Sequence, residues 1–383
     1  MCPLIFQYRS EVEWHLREEH RSRADEAAEL RSQLAAARRP LDWDYLQELR
    51  SSEANPSVTL LLATAPAATM NVLDTARLRQ LAEGARRRLS AEPDRETAVS
   101  VVEDRLARAV SAAESQATDR GIAVLVNRDH LAVIPLPFAP RDRHVVDRTF
   151  ATRDLEYTLR RFPRYRVLVL GRHPRVLEGY AHQLAEAPAA SPDPDPDSLL
   201  GERIEAAGRL PLVVIGDHRH LDLFDRDSAF AGEVVAQVPR PRLHKGNVLG
   251  FISDALGRIH QQRQARSVAE LLHADLQSRV EWGLGAAWRA LHSHSADRLW
   301  VEHDYAVPGH VAAGDHAVEP TTDPTEPGAV DDLVDALLAR AAQLGVETHI
   351  VERQSLRRPE PVAVRVRFPT IRPAGHRRML ATA

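Results

Sequence analysis

Apolar and polar positions alternate along the chain with two different periods, and the switches between them mark its elements. Residues 21–53 carry Ala27, Leu30, Leu34 and Ala37 at helical spacing among charges, broken by Pro40, and predict a solvent-exposed helical connector. From Pro56 the pattern becomes compact. Residues 58–62 form an apolar strand, and the helix after it places Leu78, Leu81, Ala85 and Leu89 on one face, with Asp74 as the expected N-cap. A second helix sets Val102, Leu106, Val110 and Ala113 on one side. Residues 122–126 and 131–134, joined by a turn at 127–130, read as a hairpin. These elements make a first α/β domain, 56–162.

A second domain, 163–264, opens on the apolar strand 165–170, and the spacing predicts a helix over 174–184. Residues 191–197 alternate acid and proline; such a tract packs no core and reads as an extended, mobile insertion. A strand at 212–215, a hairpin-like stretch at 221–224 and an edge strand within 232–238 complete the expected sheet. The third domain, 265–368, begins with a helix-period run, 267–291, and the strand 298–302. A loop rich in Pro, Gly and Asp follows at 308–328. A helix over 329–344 stops at Gly345, and strands at 346–351 and 361–368 close the unit. The tail, 369–383, has no apolar period and reads as disordered. The chain is thus a mixed α/β protein, with three consecutive α/β domains after a helical N-terminal segment.

Composition narrows the function. The chain has 383 residues, enough for two or three domains with their own cores. No apolar run reaches the roughly 20 residues that span a bilayer. Glu11, Glu13, Glu18 and Glu19 do not suit a signal peptide, so a cytoplasmic location without a membrane partner is expected. The single cysteine, Cys2, rules out an intrachain disulfide framework and fits a reducing compartment. A formal net charge of −4 leaves no global basic field, so any RNA contact is local. Lys245 is the only lysine among 50 basic residues; this reads first as genome composition and second as phosphate recognition.

Four clusters of side chains are chemical candidates. Cys2, His15 and His20, with Phe6 and Val12, reproduce most of a Cys-Cys-His-His zinc finger: twelve residues separate Cys2 from His15 and four separate His15 from His20. The first cysteine would lie three residues before Cys2, so zinc binds here if the true start lies upstream; otherwise the segment, 1–20, is an amphipathic helix. A lone finger would not read DNA specifically. His218 and His220 with Asp222, Asp225 and Asp227 allow either a metal-dependent hydrolase or nuclease site, or a solvated hairpin. Arg160, Arg161, Arg164 and Arg166, interleaved with Phe162 and Tyr165, allow either an RNA patch or a linker whose aromatics enter the core. His292 and His294 suit the dipole of a helix end better than a metal. Gly283 and Gly285 lie inside a helical pattern, where close helix packing is their expected role. No nucleophile elbow, phosphate loop, His-Glu-x-x-His or Cys-x-x-Cys motif occurs.

Three landmarks carry a family resemblance. One is the strand from Pro56 through Leu62, leading to Asp74 and the helix 77–81. Another is 145–150 before the strand 165–170. The last is 298–304 with Gly309, then 330–333 and 345–347. In this order and spacing the chain resembles bacterial members of the archaeo-eukaryotic release factor superfamily, over residues 56–368. The resemblance implies a divergent N-terminal domain followed by two release-factor-like α/β domains, the last of which holds protein partners on the ribosome. It also implies ribosome or tRNA-related partners. The family's Gly-Gly-Gln loop, which helps water attack the peptidyl ester, has no counterpart: the chain contains no Gly-Gly pair, and Gly171-Arg172-His173-Pro174 occupies the joint. The resemblance therefore implies a non-catalytic factor of stress, rescue or hibernation type.

Overall fold

The computed structural model describes residues 41–52, 54–90, 96–171, 174–181, 183–186, 210–227, 234–239 and 248–368, apart from 313, 315, 324, 325 and 327. Cys2, His15 and His20, the connector up to residue 40, the acid–proline tract and the tail 369–383 lie outside the described residues. The fold is mixed α/β, and among the described residues no helix is long and apolar enough to cross a membrane. Two compact units result, one from Ser51–Phe150 with Leu41, the other from Asp42–Arg50 and the chain from Ala151 onward. The second and third expected domains thus fall within one unit.

Helix α1 (Trp43–Ser51) belongs to the second unit. The first unit then runs β1 (Ser57–Ala63), α2 (Val72–Ser90), α3 (Glu96–Glu114), β2 (Gly121–Val126), β3 (Leu131–Leu136) and β4 (Arg143–Asp147). Its strands form an antiparallel sheet in the order β3-β2-β1-β4. Alternate residues Val58, Leu60 and Leu62 of β1 and Ile122, Val124 and Val126 of β2 meet Leu78 and Leu89 of α2 and Val102 and Leu106 of α3 in one core. The expected N-cap shifts by one turn. Asn71 Oδ1 accepts from the Asp74 amide at 2.9 Å, and Asp74 Oδ2 accepts from Asn71 Nδ2 at 2.7 Å. Asp74 therefore sits at the third helical position of a reciprocal capping pair, because Asn71 is the residue just outside the first helical turn.

The second unit continues through α4 (Arg153–Arg161), β5 (Tyr165–Val169), β6 (Arg175–Tyr180), β7 (Gln183–Glu186), β8 (Leu212–Gly216), α5 (His218–Asp227) and β9 (Val234–Pro239). Its mixed sheet has the order β7-β6-β5-β8-β9, parallel at β5–β8 and β8–β9 and antiparallel elsewhere. Two expectations fail here. The helix expected over 174–184 is the β6–β7 pair, in which Val176 joins Leu168 and Val214 on one face while Leu177 packs toward Val167 and Val213 on the other. The hairpin-like 221–224 is part of α5: Leu221 and Phe224, one turn apart, bury against the sheet, and Asp217 Oδ1 accepts from the His220 amide at 2.9 Å.

Helix α6 (Val248–Leu276) covers the opposite face of that sheet with Ile252 and Leu256, then reaches the next sheet with Leu271 and Ala274. The remaining elements are β10 (Val280–Trp282), α7 (Leu284–His292), β11 (Ala296–Glu302), β12 (Gly309–Val311), β13 (Val318–Pro320), α8 (Leu333–Gln343), β14 (Glu347–Val351) and β15 (Val362–Val366). The sheet order is β10-β15-β11-β14, with β14 parallel to β11. Trp300 and Ala363 face α6, while α7 and α8 pack on β15 and β14. The helical run expected over 267–291 is thus three elements. Gly283 breaks it: its φ of 94° lies where a side chain is strained, and it follows β10 and caps α7 rather than packing inside a helix. The amide of Leu284 donates to Glu360 Oε2 at 3.1 Å, so a protein carboxylate already occupies that helix start.

Candidate nucleic-acid interface

Helix α4 organises the charged interior of the second unit. Arg153, Glu156, Tyr157 and Arg160 recur at three- and four-residue steps and share a face. The Arg153 guanidinium is wholly buried and donates to Asp332 Oδ2 at 2.8 Å and to the Tyr305 carbonyl, with Asp335 Oδ2 3.8 Å away. Burial alone would weaken its charge, but Asp332 and Asp335 outweigh that and raise its pKa. Glu156, also wholly buried, accepts from Arg50, from Arg160 Nε at 2.8 Å and from Thr348 Oγ1 at 2.9 Å. Burial would push its pKa up; Arg160 and Arg50 prevail and hold it below the ordinary carboxylate range. Tyr157 donates to Glu352 Oε1 at 2.9 Å, with its ring stacked 4.4 Å from that of His303. His260 Nε2 lies 3.1 Å from the same Glu352 oxygen, and this bond is the main reason that the Glu352 carboxyl is also held low.

Beside Arg160 opens a cleft of about 260 Å³, lined by Trp43, Arg160, His260, Arg263, Gln264 and His349 together with aliphatic side chains of α4 and β14. No carboxylate is among its lining residues. The Arg160 guanidinium lies 5.2 Å from the centre of the Trp43 ring and donates to the Thr348 carbonyl at 2.8 Å, so it is held in place. Trp43 remains 45% exposed. His349 stacks on Trp300 at 5.1 Å, and Trp300 Nε1 donates to Ser267 Oγ at 2.8 Å. Burial, with Arg160 and Arg298 nearby, outweighs the opposing Glu347 carboxylate and lowers the His349 pKa. Its Nε2 is 3.2 Å from Glu347 Oε1, yet outside hydrogen-bond geometry. Gln264 Nε2 donates to the Ile350 carbonyl at 3.0 Å, whereas its Oε1 is covered and has no hydrogen-bond partner.

The four arginines 160–166 do not share one surface. Arg160 lines the cleft; Arg161 lies 3.9 Å from Glu352 with its guanidinium over the Phe162 ring. Arg164 is exposed, and Arg166 is buried in β5, 3.4 Å from Glu178. Tyr165 enters the core. His218, Asp222 and Asp225 are exposed along α5; His220 Nδ1 bonds Asp217 Oδ1 at 2.6 Å and Asp225 accepts from Gln237. Among the described residues, no three His, Cys, Asp or Glu side chains are placed to share a metal ion. His292, at the end of α7, meets His316, with 2.6 Å between ring nitrogens.

Sequence reasoning missed Trp43, His260, Arg263, Gln264 and His349, which come from α1, α6 and β14. A signal existed: Arg258, Arg263 and Arg266 occur in a stretch of α6 without an acid between Asp254 and Glu270.

No protein-family model and no curated protein matches the chain. Among solved structures it is similar to Archaeoglobus fulgidus Pelota, at 13% identity over 86% of this chain and 93% of that one, with a TM-score of 0.30. It is similar to S. cerevisiae Dom34, a translation termination-like factor, at 12% identity over 66% and 75%, with a TM-score of 0.38. A third similar structure is the archaeal translation termination factor aRF1, at 13% identity over 85% and 96%, with a TM-score of 0.23.

Proposed function

We propose that this chain is a non-catalytic, release-factor-like factor of translation that binds the ribosome through RNA, in a stress, rescue or hibernation role. The observation that carries this reading is the cleft of the second unit, whose lining brings together Arg160, held by Glu156, Arg263 and the half-exposed ring of Trp43. The absence of catalysis is supported by the sequence. The chain contains no Gly-Gly pair from which the catalytic tripeptide could be built. In this reading 163–264 and 265–368 act as separate domains. Arg160 and Arg161 at the end of 56–162 and Arg164 at the start of 163–264 contribute toward RNA, 265–368 holds protein partners, and the segment with Cys2, His15 and His20 is a zinc-finger-like appendage.

Co-sedimentation with ribosomes from stressed and growing cells tests the proposal. The chain is expected in the ribosomal pellet at low salt, and Arg263→Glu with Arg266→Glu is expected to shift it to the supernatant, because each phosphate contact adds to the salt-sensitive affinity. No labelled peptide should leave stalled ribosomes above the uncatalysed rate. A chain that stays in the supernatant under both growth conditions, or one that releases peptide, overturns it.

A further inference from the structure

We infer that His349 makes the cleft acid-sensitive: the wall that β14 forms beside Arg160 holds while the ring is uncharged and yields when the ring takes a proton. The position of the ring sets this up. One face lies flat on the indole of Trp300, 5.1 Å away at 13°, and Trp300 is wholly buried and donates to Ser267 Oγ at 2.8 Å. The ring also belongs to the lining of the cleft, and 18% of the side chain stays exposed, so solvent protons reach it. The indole face offers an imidazolium some attraction. Its Nε2, however, is covered and has no hydrogen-bond partner, and an N–H placed there without an acceptor is costly.

The charged groups around the ring come from four elements: Glu347 on β14 itself, Arg298 on β11, Glu270 on α6 and Arg160 on α4. His260 and Arg263 of α6 line the same cleft. Glu347 Oε1 faces the ring 3.2 Å from Nε2, yet outside hydrogen-bond geometry. Its other oxygen is engaged by Arg298 Nε at 2.8 Å, and Arg298 Nη1 donates to Glu270 Oε2 at 2.6 Å. A proton on Nε2 aligns with Glu347 only if the ring turns off Trp300 or the carboxylate leaves Arg298. Either movement disturbs β14. The next residue back, Thr348, anchors Arg160 through its carbonyl at 2.8 Å, so a shift of the strand passes to the guanidinium beside Trp43. Burial and the two arginines oppose the proton more than the carboxylates favour it, and the ring's pKa is held below the ordinary imidazole value. The unfolded chain therefore takes this proton first. The stability contributed by the uncharged ring is full above the unfolded value of about 6.5 and is lost as pH falls toward the folded one.

The intact chain is unfolded in urea at several pH values between about 8 and about 5.5, within the range where an imidazole titrates. The parent's midpoint should fall across this range. His349→Phe keeps a ring on Trp300 but takes no proton, and its profile should be flatter. His349→Gln, a second variant without a titrating ring, should be flatter as well, whatever its stability at the alkaline end. Acrylamide quenching of tryptophan fluorescence reads the wall, because Trp300 is wholly buried while the stack stands. Access should rise on acidification in the parent and stay level in His349→Phe. The ring's own titration, followed by the NMR signal that His349→Phe lacks, should have its midpoint below that of free imidazole. Glu347→Gln, at an exposed position, removes a carboxylate that faces the ring and should move that midpoint lower still. Parallel urea profiles in the parent and both His349 variants overturn the inference. So does a ring that titrates at or above the free value, or acrylamide access that does not change with pH.

Discussion

Asp332 joins two functions in one buried side chain, and removing it should cost the second unit heavily. Its Oδ1 accepts from the Val334 amide at 3.0 Å and caps α8, while Oδ2 accepts from Arg153 Nη2 at 2.8 Å. The two side chains are 0% and 1% exposed, so no water replaces either contact. Asp332→Ala loses the cap, about 1 kcal/mol. It also strands a buried guanidinium, which costs about 3–5 kcal/mol. Asp335 at 3.8 Å and the Tyr305 carbonyl remain, placing the second loss at the lower end. The expected total is about 4 kcal/mol. Asp332→Asn keeps an acceptor for Val334 and should lose only the charge part, about 3 kcal/mol. Urea unfolding followed by the fluorescence of Trp288 and Trp300, which both belong to this unit, reads the midpoint and the slope together. Arg153→Met combined with Asp332→Asn should recover part of the loss, because an apolar replacement of a buried pair leaves no charge unpaired. If Asp332→Ala unfolds within about 0.5 kcal/mol of the parent, Arg153 does not depend on its partner and the reasoning is wrong.

Glu156 should govern part of the acid limb of stability. Its folded pKa is depressed by Arg160 and Arg50, so its contribution is full above the unfolded value near 4.3 and is lost as pH falls through the folded one. Glu156→Gln is therefore expected to be less stable at pH 7 and to lose less on acidification, with urea midpoints converging with the parent's below about pH 4. Gly179→Ala would place a Cβ 2.2 Å from Cζ of the fully buried Tyr165 ring and should lower stability by about 1–3 kcal/mol; an unchanged melting temperature would refute the contact. Tyr157→Phe keeps the stack on His303 but drops the bond to Glu352, and a loss of about 1 kcal/mol in the same unfolding assay is expected.

How much of the fold is legible in the sequence depends on how many faces of an element are covered. The first unit is plain because α2 and α3 each bury a single face, leaving a clear periodicity in both helices, while β1 and β2 are buried on both faces and read as short apolar runs. In the second unit α5 and α6 cover opposite faces of one sheet, so Val176 and Leu177 are both apolar and the period of two disappears from β6. Val176, Tyr180 and Leu184 then stand four apart and imitate a helix. Helix α5 suffers the reverse fate. With only Leu221 and Phe224 facing inward, a four-residue window shows alternation, and the sign that corrects it is the cap at Asp217, outside that window. The run into α7 misleads because Leu271, Ala274, Leu284, Ala287 and Leu291 are compatible with helical steps; Gly283 was the punctuation to heed.

The candidate site teaches a different lesson, because charge density along a chain is not charge left over in space. Arg160, Arg161 and Arg166 are dense in sequence, yet each meets a carboxylate from elsewhere: Glu156 one turn back, Glu352 beyond β14, Glu178 across the β5–β6 pair. Such matching removes most of the field a patch would project, since a paired charge in a partly buried setting is nearly cancelled for a ligand beyond a Debye length of about 8 Å. Helix α6 brings a stretch without acids in sequence, from Arg258 to Arg266, against the one member of the run, Arg160, that lines the cleft with the indole of Trp43. Neither Trp43 nor Arg263 is unusual where it stands in the sequence. Their meaning comes from α4, whose buried Glu156 draws Arg50 of α1 and Thr348 of β14 to one carboxylate and so assembles the walls of the cleft from three distant segments.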